Sequence, residues 1–289
     1  MRISVVVSTY QRPLFLERVL WGYASQTDRA FDLVIADDGS GAETASLIDR
    51  LRGETGLDIL HVWHEDRGFR KTEILNRAIV AAGGEYLMFT DGDCIPRRDL
   101  VAVHRALARK GCYVAGGYLK LPAEVSDRIG VEEVVSGRMA DLAWLRAQGW
   151  RPGRRALRLG RSPTFGAVWD WLTPTAAHFH GNNASTWRTA LELVNGFEGE
   201  MAYGGLDLAL GYRLGNAGVH GIQARHRAVT MHLHHDRPYA DPDGIRRNRE
   251  RIDRIRRDRE IRAHRGIAEL APDPSLRVNG RPVGGDRGS

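Results

Sequence analysis

Cysteine is nearly absent from this 289-residue chain. Cys94 and Cys112 are its only two, too few and too isolated for a disulfide framework or a thiolate zinc site, which agrees with a reducing compartment. Lysine is scarce as well: Lys71, Lys110 and Lys120 stand against a Lys plus Arg total of 42, a bias that GC-rich coding produces without functional demand. No apolar run approaches the roughly 18 residues that cross a bilayer. Ile3 to Val7 and Tyr86 to Phe89 are strand-sized instead. The start, Met-Arg-Ile-Ser-Val-Val-Val, lacks the apolar stretch and cleavage site of a signal peptide, so a cytoplasmic location is expected. With 33 glycines and 11 prolines, both aperiodic, collagenous and low-complexity classes are excluded. A chain of this length buries a core without covalent or metal staples.

The net charge of +6 has one source. Residues 244–266 hold ten arginines and four acidic residues, a net of +6, so the rest of the chain sums to zero. No recognised nucleic-acid motif accompanies this charge, and no nucleic-acid partner is expected. Ile245 to Arg265 reads as an arginine-rich helix with a thin apolar stripe (Ile252, Ile255, Ile261). It suits first a solvated helix with i to i+4 ion pairs, and otherwise a peripheral contact with the inner face of a membrane, a cover over an acceptor or self-association. Beyond it, Pro272, Pro274 and the Gly284-Gly285 pair suggest a poorly ordered tail.

The first third alternates periods. Strands are expected at Ile3–Ser8, Asp32–Ala36, Leu57–Val62 and Glu85–Thr90, and helices at Pro13–Gln26, Ala42–Leu51 and Lys71–Ala82. This βα alternation predicts an α/β fold, a mostly parallel sheet flanked by helices, with ligands at the carboxyl ends of the strands. Ser8, Thr9 and Tyr10, Asp37 and Asp38, and Asp91 and Asp93 fall at those ends. From Gly116 to His180 the pattern is irregular, with four prolines and the tryptophans 144, 150, 169 and 171, and a substrate-facing loop or lid is expected there.

Asp91-Gly92-Asp93 ends the fourth strand. Two carboxylates one residue apart can address one divalent cation beside a diphosphate, although the same tripeptide also makes ordinary turns. Val5-Val6-Val7-Ser8-Thr9-Tyr10-Gln11-Arg12-Pro13, Ala36-Asp37-Asp38-Gly39-Ser40, Gly68-Phe69-Arg70-Lys71 leading to Asn76-Arg77-Ala78, and Asp91-Gly92-Asp93 together resemble the family 2 glycosyltransferases of the GT-A (Rossmann-like) fold. Gly181-Asn182-Asn183-Ala184-Ser185 and Gly204-Gly205-Leu206-Asp207 extend the resemblance to a galactosyltransferase-like branch, over roughly residues 1–240.

The resemblance implies a metal-dependent, inverting transfer of a sugar from a nucleotide donor, UDP-linked, to an acceptor hydroxyl. It implies a GT-A domain over residues 1–243, with a nucleotide-sugar half (1–115) and an acceptor and catalytic half (116–243), followed by the basic helix and tail (244–289). By the same resemblance Ser8, Thr9, Tyr10, Arg12 and Asp38 hold the nucleoside, with Tyr10 along the uracil and Asp38 accepting a base N–H. Arg70 and Lys71 face the phosphates, and Asp91 and Gly92 serve the ribose side. Asp93 is the expected direct ligand of Mn²⁺ or Mg²⁺, with Asp91 acting directly or through water.

A third ligand is expected from Met231-His232-Leu233-His234-His235. In a strand His232 and His234 share one face and His235 takes the other, so the three cannot act together. The family's His-x-x-His pattern favours His235, with His232 or His234 in reserve. Trp169, Trp171, Asn182, Asn183, Gly205 and Leu206 are expected on the acceptor side, and Asp207 as general base. Leu206 stands where the family usually has Glu. Losing that negative charge would let the Asp207 pKa fall, and it keeps open the alternative of a catalytically impaired donor-binding protein. A nucleotidyltransferase would want a Gly-rich basic first loop, which Ser8-Thr9-Tyr10-Gln11 is not.

Overall fold

The computed structural model describes residues 1–160, 162–236 and 241–283. Its first half alternates β1 (Ile3–Thr9), α1 (Pro13–Ala24), β2 (Phe31–Asp37), α2 (Ala42–Thr55), β3 (Ile59–Trp63), α3 (Lys71–Ala81) and β4 (Tyr86–Asp91). β5 (Cys94–Pro96), α4 (Leu100–Leu107) and β6 (Cys112–Lys120) follow, then the short helices α5 (Ala123–Asp127), α6 (Val131–Ser136), α7 (Leu142–Ala147) and α8 (Pro163–Leu172). β7 (Ala184–Trp187), α9 (Arg188–Leu193), α10 (Leu206–Asn216), β8 (His220–His232), α11 (Pro242–Asp258) and the hairpin β9 (Arg277–Val278) and β10 (Arg281–Pro282) complete the chain.

These elements form one α/β sheet in the order β10-β9-β3-β2-β1-β4-β7-β6-β8-β5. β3, β2, β1 and β4 run parallel, whereas β7 is antiparallel to both β4 and β6, so the second half is mixed. The parallel half explains its own sequence. All seven residues of β1 are buried. Ile3, Val5 and Val7 enter one apolar cluster with Leu16 and Leu20, while Val6 enters the other with Val34 and Ile74. A strand covered on both faces needs an unbroken apolar run rather than alternation. Register then sets β1 and β4 level at Ser8 and Asp91, and β1 and β2 level at Thr9 and Asp37.

Three expectations are corrected. The stretch after Gly116 is largely not a lid: Leu121, Val125, Ile129, Val134, Met139 and Leu145 are buried in the cluster that holds Leu16 and Leu20 of α1. Nor does the fold end at residue 243. Ile252 and Ile255 of α11 are buried in the cluster that holds Leu206 and Leu210 of α10. Fully buried Arg213 meets Glu198 at 2.9 Å, and Glu198 also accepts the backbone N–H groups of His264 and Arg265. The described part of the tail is ordered as well, because β9 pairs with β3 at Val62 and Val278 and extends the sheet edge. The region is therefore integral, held by a buried ion pair and ladder bonds that local sequence does not reveal.

Candidate active site

A cleft of about 690 Å³ opens at the carboxyl ends of β1, β2 and β4. Ser8, Thr9, Tyr10, Arg12, Asp38, Lys71, Asp91, Gly92 and Asp93 line its first half, and Asn182, Gly205, Leu206, Asp207, His232 and His235 its second. The close approach of β1 and β4 explains Gly92. A Cβ there would lie 3.1 Å from the Ser8 carbonyl, and the Gly92 N–H already donates to that oxygen at 2.7 Å.

The two carboxylates of Asp91-Gly92-Asp93 have different partners. Asp91 Oδ1 accepts from Ser8 Oγ at 2.7 Å and from Lys71 Nζ at 2.6 Å. Burial pulls the Lys71 pKa down, but Asp91, Asp207 and Asp93 outweigh it, so this lysine stays charged. Asp93 turns towards the histidines. Leu233 N donates to the Asp93 carbonyl at 2.9 Å, and β5 pairs with β8 at Cys94 and His232. That pairing brings His235 Nε2 to 2.8 Å and His232 Nε2 to 3.9 Å from the Asp93 carboxylate.

The two rings stack 5.4 Å apart, and each Nδ1 contacts a backbone carbonyl: His232 that of Leu233 at 2.7 Å, His235 that of Asp236 at 2.8 Å. Because a carbonyl only accepts, each Nδ1 carries a hydrogen; His235 Nε2 then either donates to the Asp93 carboxylate as an imidazolium, the state its raised pKa favours, or gives up that proton and offers a lone pair to a metal. The Asp93 carboxylate, Cys94 Sγ and a His232 ring nitrogen lie close enough together to share one ion, and His235 reaches the same carboxylate. Burial pushes the Cys94 thiol well up, however, and keeps it from acting as a thiolate.

Asp207 lines the same cleft, near enough to Lys71 and Asp91 for their charges to bear on it. α10 begins at Leu206 behind two left-handed glycines, Gly204 and Gly205, so Asp207 sits in the first turn rather than at the cap. Its Oδ1 is shielded from solvent without a hydrogen-bond partner, and Gly181 N–H supports the carboxylate. A Cβ at Gly181 would stand 2.5 Å from that Oδ1. Burial pushes the Asp207 pKa up to about 6, with Asp91 adding to the rise and Lys71 opposing it. The fall expected from Leu206 is thus outweighed by desolvation. Leu206 is itself 6% exposed and part of the apolar cluster beneath α10.

Asp37 is internal: it accepts from Ser40 N and contacts His61 Nε2. Asp38 reaches the cleft, steadied by His64 Nε2 at 2.7 Å and by Arg70 N at 3.1 Å. Burial raises its pKa, against the pull of His64.

Five expected residues are not brought to the cleft. The Arg70 guanidinium turns away to Glu73 and Asp273. Asn183 is fully buried and spent on His104 Nε2 and the carbonyls of Gly117 and Ala228, whereas its neighbour Asn182 faces the cleft with a buried, unpartnered Oδ1. His234 is exposed, because β8 stops at His232 and the chain leaves strand geometry. Trp169 packs with Phe165 and His226, and Trp171 projects from α8 at 83% exposure.

Sequence reasoning also missed residues that the fold brings in. Tyr118, Lys120 and Tyr203 line the cleft. Asn248 of α11 donates to the carbonyls of Ala202, Tyr203 and Gly204 at 2.8, 3.2 and 2.7 Å. No local motif marks Asn248, since its partners lie some forty residues away.

Residues 4–191 match the sequence model described as Glycosyl transferase family 2. The chain belongs to this family. Validoxylamine A glucosyltransferase of Streptomyces hygroscopicus subsp. jinggangensis is 28% identical over 246 residues, 76% of this chain and 52% of the relative, so the chain spans about half that protein. Among solved structures, this glycosyltransferase is similar to the mannosyltransferase PcManGT of Pyrobaculum calidifontis in complex with GDP-Man and Mn²⁺. The match has a TM-score of 0.56 at 22% identity, over 90% of this chain and 61% of that one. S. aureus TarS 1-349 in complex with UDP-GlcNAc matches with a TM-score of 0.59 at 14% identity, over 87% and 65% of the two chains. The shared fold is GT-A.

Proposed function

We propose that this family 2 enzyme moves a glycosyl group from a nucleoside-diphosphate sugar, UDP-linked, to an acceptor hydroxyl with inversion. The observation that carries the reading is one cleft that holds both a buried carboxylate of raised pKa with a bare oxygen, Asp207, and the Asp93, His232 and His235 group. Asp207 draws the proton from the acceptor hydroxyl as the new bond forms, and the nucleoside diphosphate leaves from the opposite side. Asp91 is engaged by Lys71 and Ser8, which leaves Asp207 as the carboxylate suited to this proton and favours a single displacement over a covalent intermediate.

Tyr10, 45% exposed at the rim with its hydroxyl on Asp66, offers a ring to the base, and Asp38 has acceptor capacity left for a base N–H. Asp93, His232 and His235 would hold a divalent cation. When bound, such an ion stabilises charge on the departing diphosphate. Both structural relatives named above were solved with nucleotide sugars, and one of them with Mn²⁺. Transfer from UDP-sugars, with release of UDP, is expected when a panel of UDP-, GDP- and ADP-sugars is incubated with Mn²⁺ and an acceptor mixture. Donor binding that survives chelation, with no turnover of any member, would sink the reading in favour of an impaired donor-binding protein.

Asn248 has a place in this scheme. By gathering three carbonyls of the loop before Gly205 it fixes where α10 starts, and with it Asp207. Asn248→Ala is expected to lower kcat about tenfold, with donor KM little changed, because small misplacements of a reacting group are costly. Steady-state kinetics beside a thermal melt would check this, and Asn248→Asp is not expected to rescue, since it lacks the donating amide.

A further inference from the structure

The basic helix α11 is not where this protein has charge to spare. Its Arg246, Arg251, Arg254 and Arg257 pair with Asp243, Glu200, Glu260 and Asp258. The stretch from Leu142 to Trp169 is different, with six arginines and no acidic residue. Among the described residues, Arg146, Arg151, Arg154, Arg155 and Arg158 have no carboxylate partner, and the first four are exposed.

This stretch ends in α8, whose amphipathicity is inverted. Phe165, Val168, Trp171 and Leu172 fall within about a third of the helical circumference, and they are 39, 48, 83 and 52% exposed. The polar side faces in. Asp170, the one carboxylate of α8, is 7% exposed and held by His226 Nδ1 at 3.0 Å and Arg227 Nε at 2.7 Å. Gly166 lies so close to β8 that a Cβ would meet Arg227 Cγ at 2.8 Å. The helix is thereby fixed with its apolar face outward, and Phe165 lies over Gly160, at the end of the arginine-bearing turn.

We propose that the apolar face of α8 and the adjoining arginines dock the enzyme on the surface of an anionic phospholipid bilayer. Four large apolar side chains on one helix face exceed the scattered exposure normal for a soluble surface. Uncompensated arginines beside them complement acidic headgroups. A second copy meeting this face across a two-fold axis would bring the arginines against themselves, and nucleic acid would leave the aliphatic side chains without a partner. The arginine turn also touches the cleft's frame, since Arg158 Nη1 donates to the carbonyl of Tyr118, which lines the cleft.

The test is co-sedimentation of the whole chain with phosphatidylcholine vesicles, with and without about one third phosphatidylglycerol, at low and high salt. Binding only to the anionic vesicles, weakened by salt, is expected. Arg154→Gln/Arg155→Gln should lower the partition coefficient about fivefold per arginine, and Val168→Ser/Leu172→Ser at least about tenfold, with the melting curve and UDP binding unchanged in both. Equal binding to neutral and anionic vesicles, no binding to either, or undiminished binding by both variants overturns the proposal. So does a native dimer that Val168→Ser/Leu172→Ser converts to monomer, because the face would then belong to a second copy.

Discussion

Asp207→Asn is expected to lower turnover by about a thousandfold while donor binding stays within about twofold. The amide keeps the volume of the side chain and an oxygen for the Gly181 N–H, so the wall of the cleft should survive. It loses only the capacity to take a proton. A carboxylate that merely helped α10 to start would give a different result, namely a lower melting temperature with near-normal turnover. The pH profile makes the test sharper. An ordinary aspartate is ionised well below pH 5, but burial pushes Asp207 up to about 6. The base works only when ionised, so kcat/KM should climb with pH through about 6 and level off above it. Lys71 opposes the rise. Lys71→Met, which removes that positive charge, should therefore move the acid limb to higher pH. An acid limb that stays in place in Asp207→Asn, or an amide variant that retains most of the activity, would remove Asp207 from the role.

Some of this site was legible in the sequence, for a physical reason. β1, β2 and β4 are buried on both faces, so their apolar runs end abruptly where the chain meets the cleft, and polar residues that line it follow within one or two positions, although Asp37 at the end of β2 turns inward. Ser8, Asp38, Asp91 and Asp93 follow from that rule, and all four line the cleft. Where neighbouring residues face different ways, sequence alone fails. Arg70 and Lys71 are adjacent at a helix start, yet one side chain turns to Asp273 and the other to Asp91. Asn182 and Asn183 part in the same manner just before β7. The histidines turn on where β8 stops: strand alternation puts His232 with His234, but the strand ends at His232 and the next residues bring His235 back onto its ring. Trp169 and Trp171 read as a paired platform only in an extended chain. On α8 they are about 200° apart, one against His226 and the other in solvent. Asn248 and the Glu198–Arg213 pair were beyond reach, because each depends on a contact that only the folded chain creates.

Asp93→Ala should abolish turnover to the same extent as chelation, about a thousandfold, and should remove Mn²⁺ binding with it. Asp93 is the meeting point of three constraints: the β5 to β8 pairing that ends beside it, the 2.8 Å contact with His235, and the 3.2 Å contact from Cys94 Sγ. Burial alone would raise its pKa, but His235 and His232 hold it below the usual carboxylate range, so it is an anion at any working pH. Asp91 is placed differently, with one oxygen already accepting from Ser8 and Lys71. Asp91→Asn should accordingly weaken donor binding more than Mn²⁺ binding. The two aspartates can thus be separated by titrating Mn²⁺ and following the electron paramagnetic resonance of the free ion in each variant. His235→Ala belongs with Asp93→Ala in that titration and His234→Ala with the unmodified enzyme, because His235 and His232 carry imidazole nitrogens to the Asp93 carboxylate while His234 is exposed away from it. Mn²⁺ affinity unchanged in Asp93→Ala, together with turnover that persists in chelator, would rule out this group as a metal site and leave Asp93 as the acceptor that positions His235.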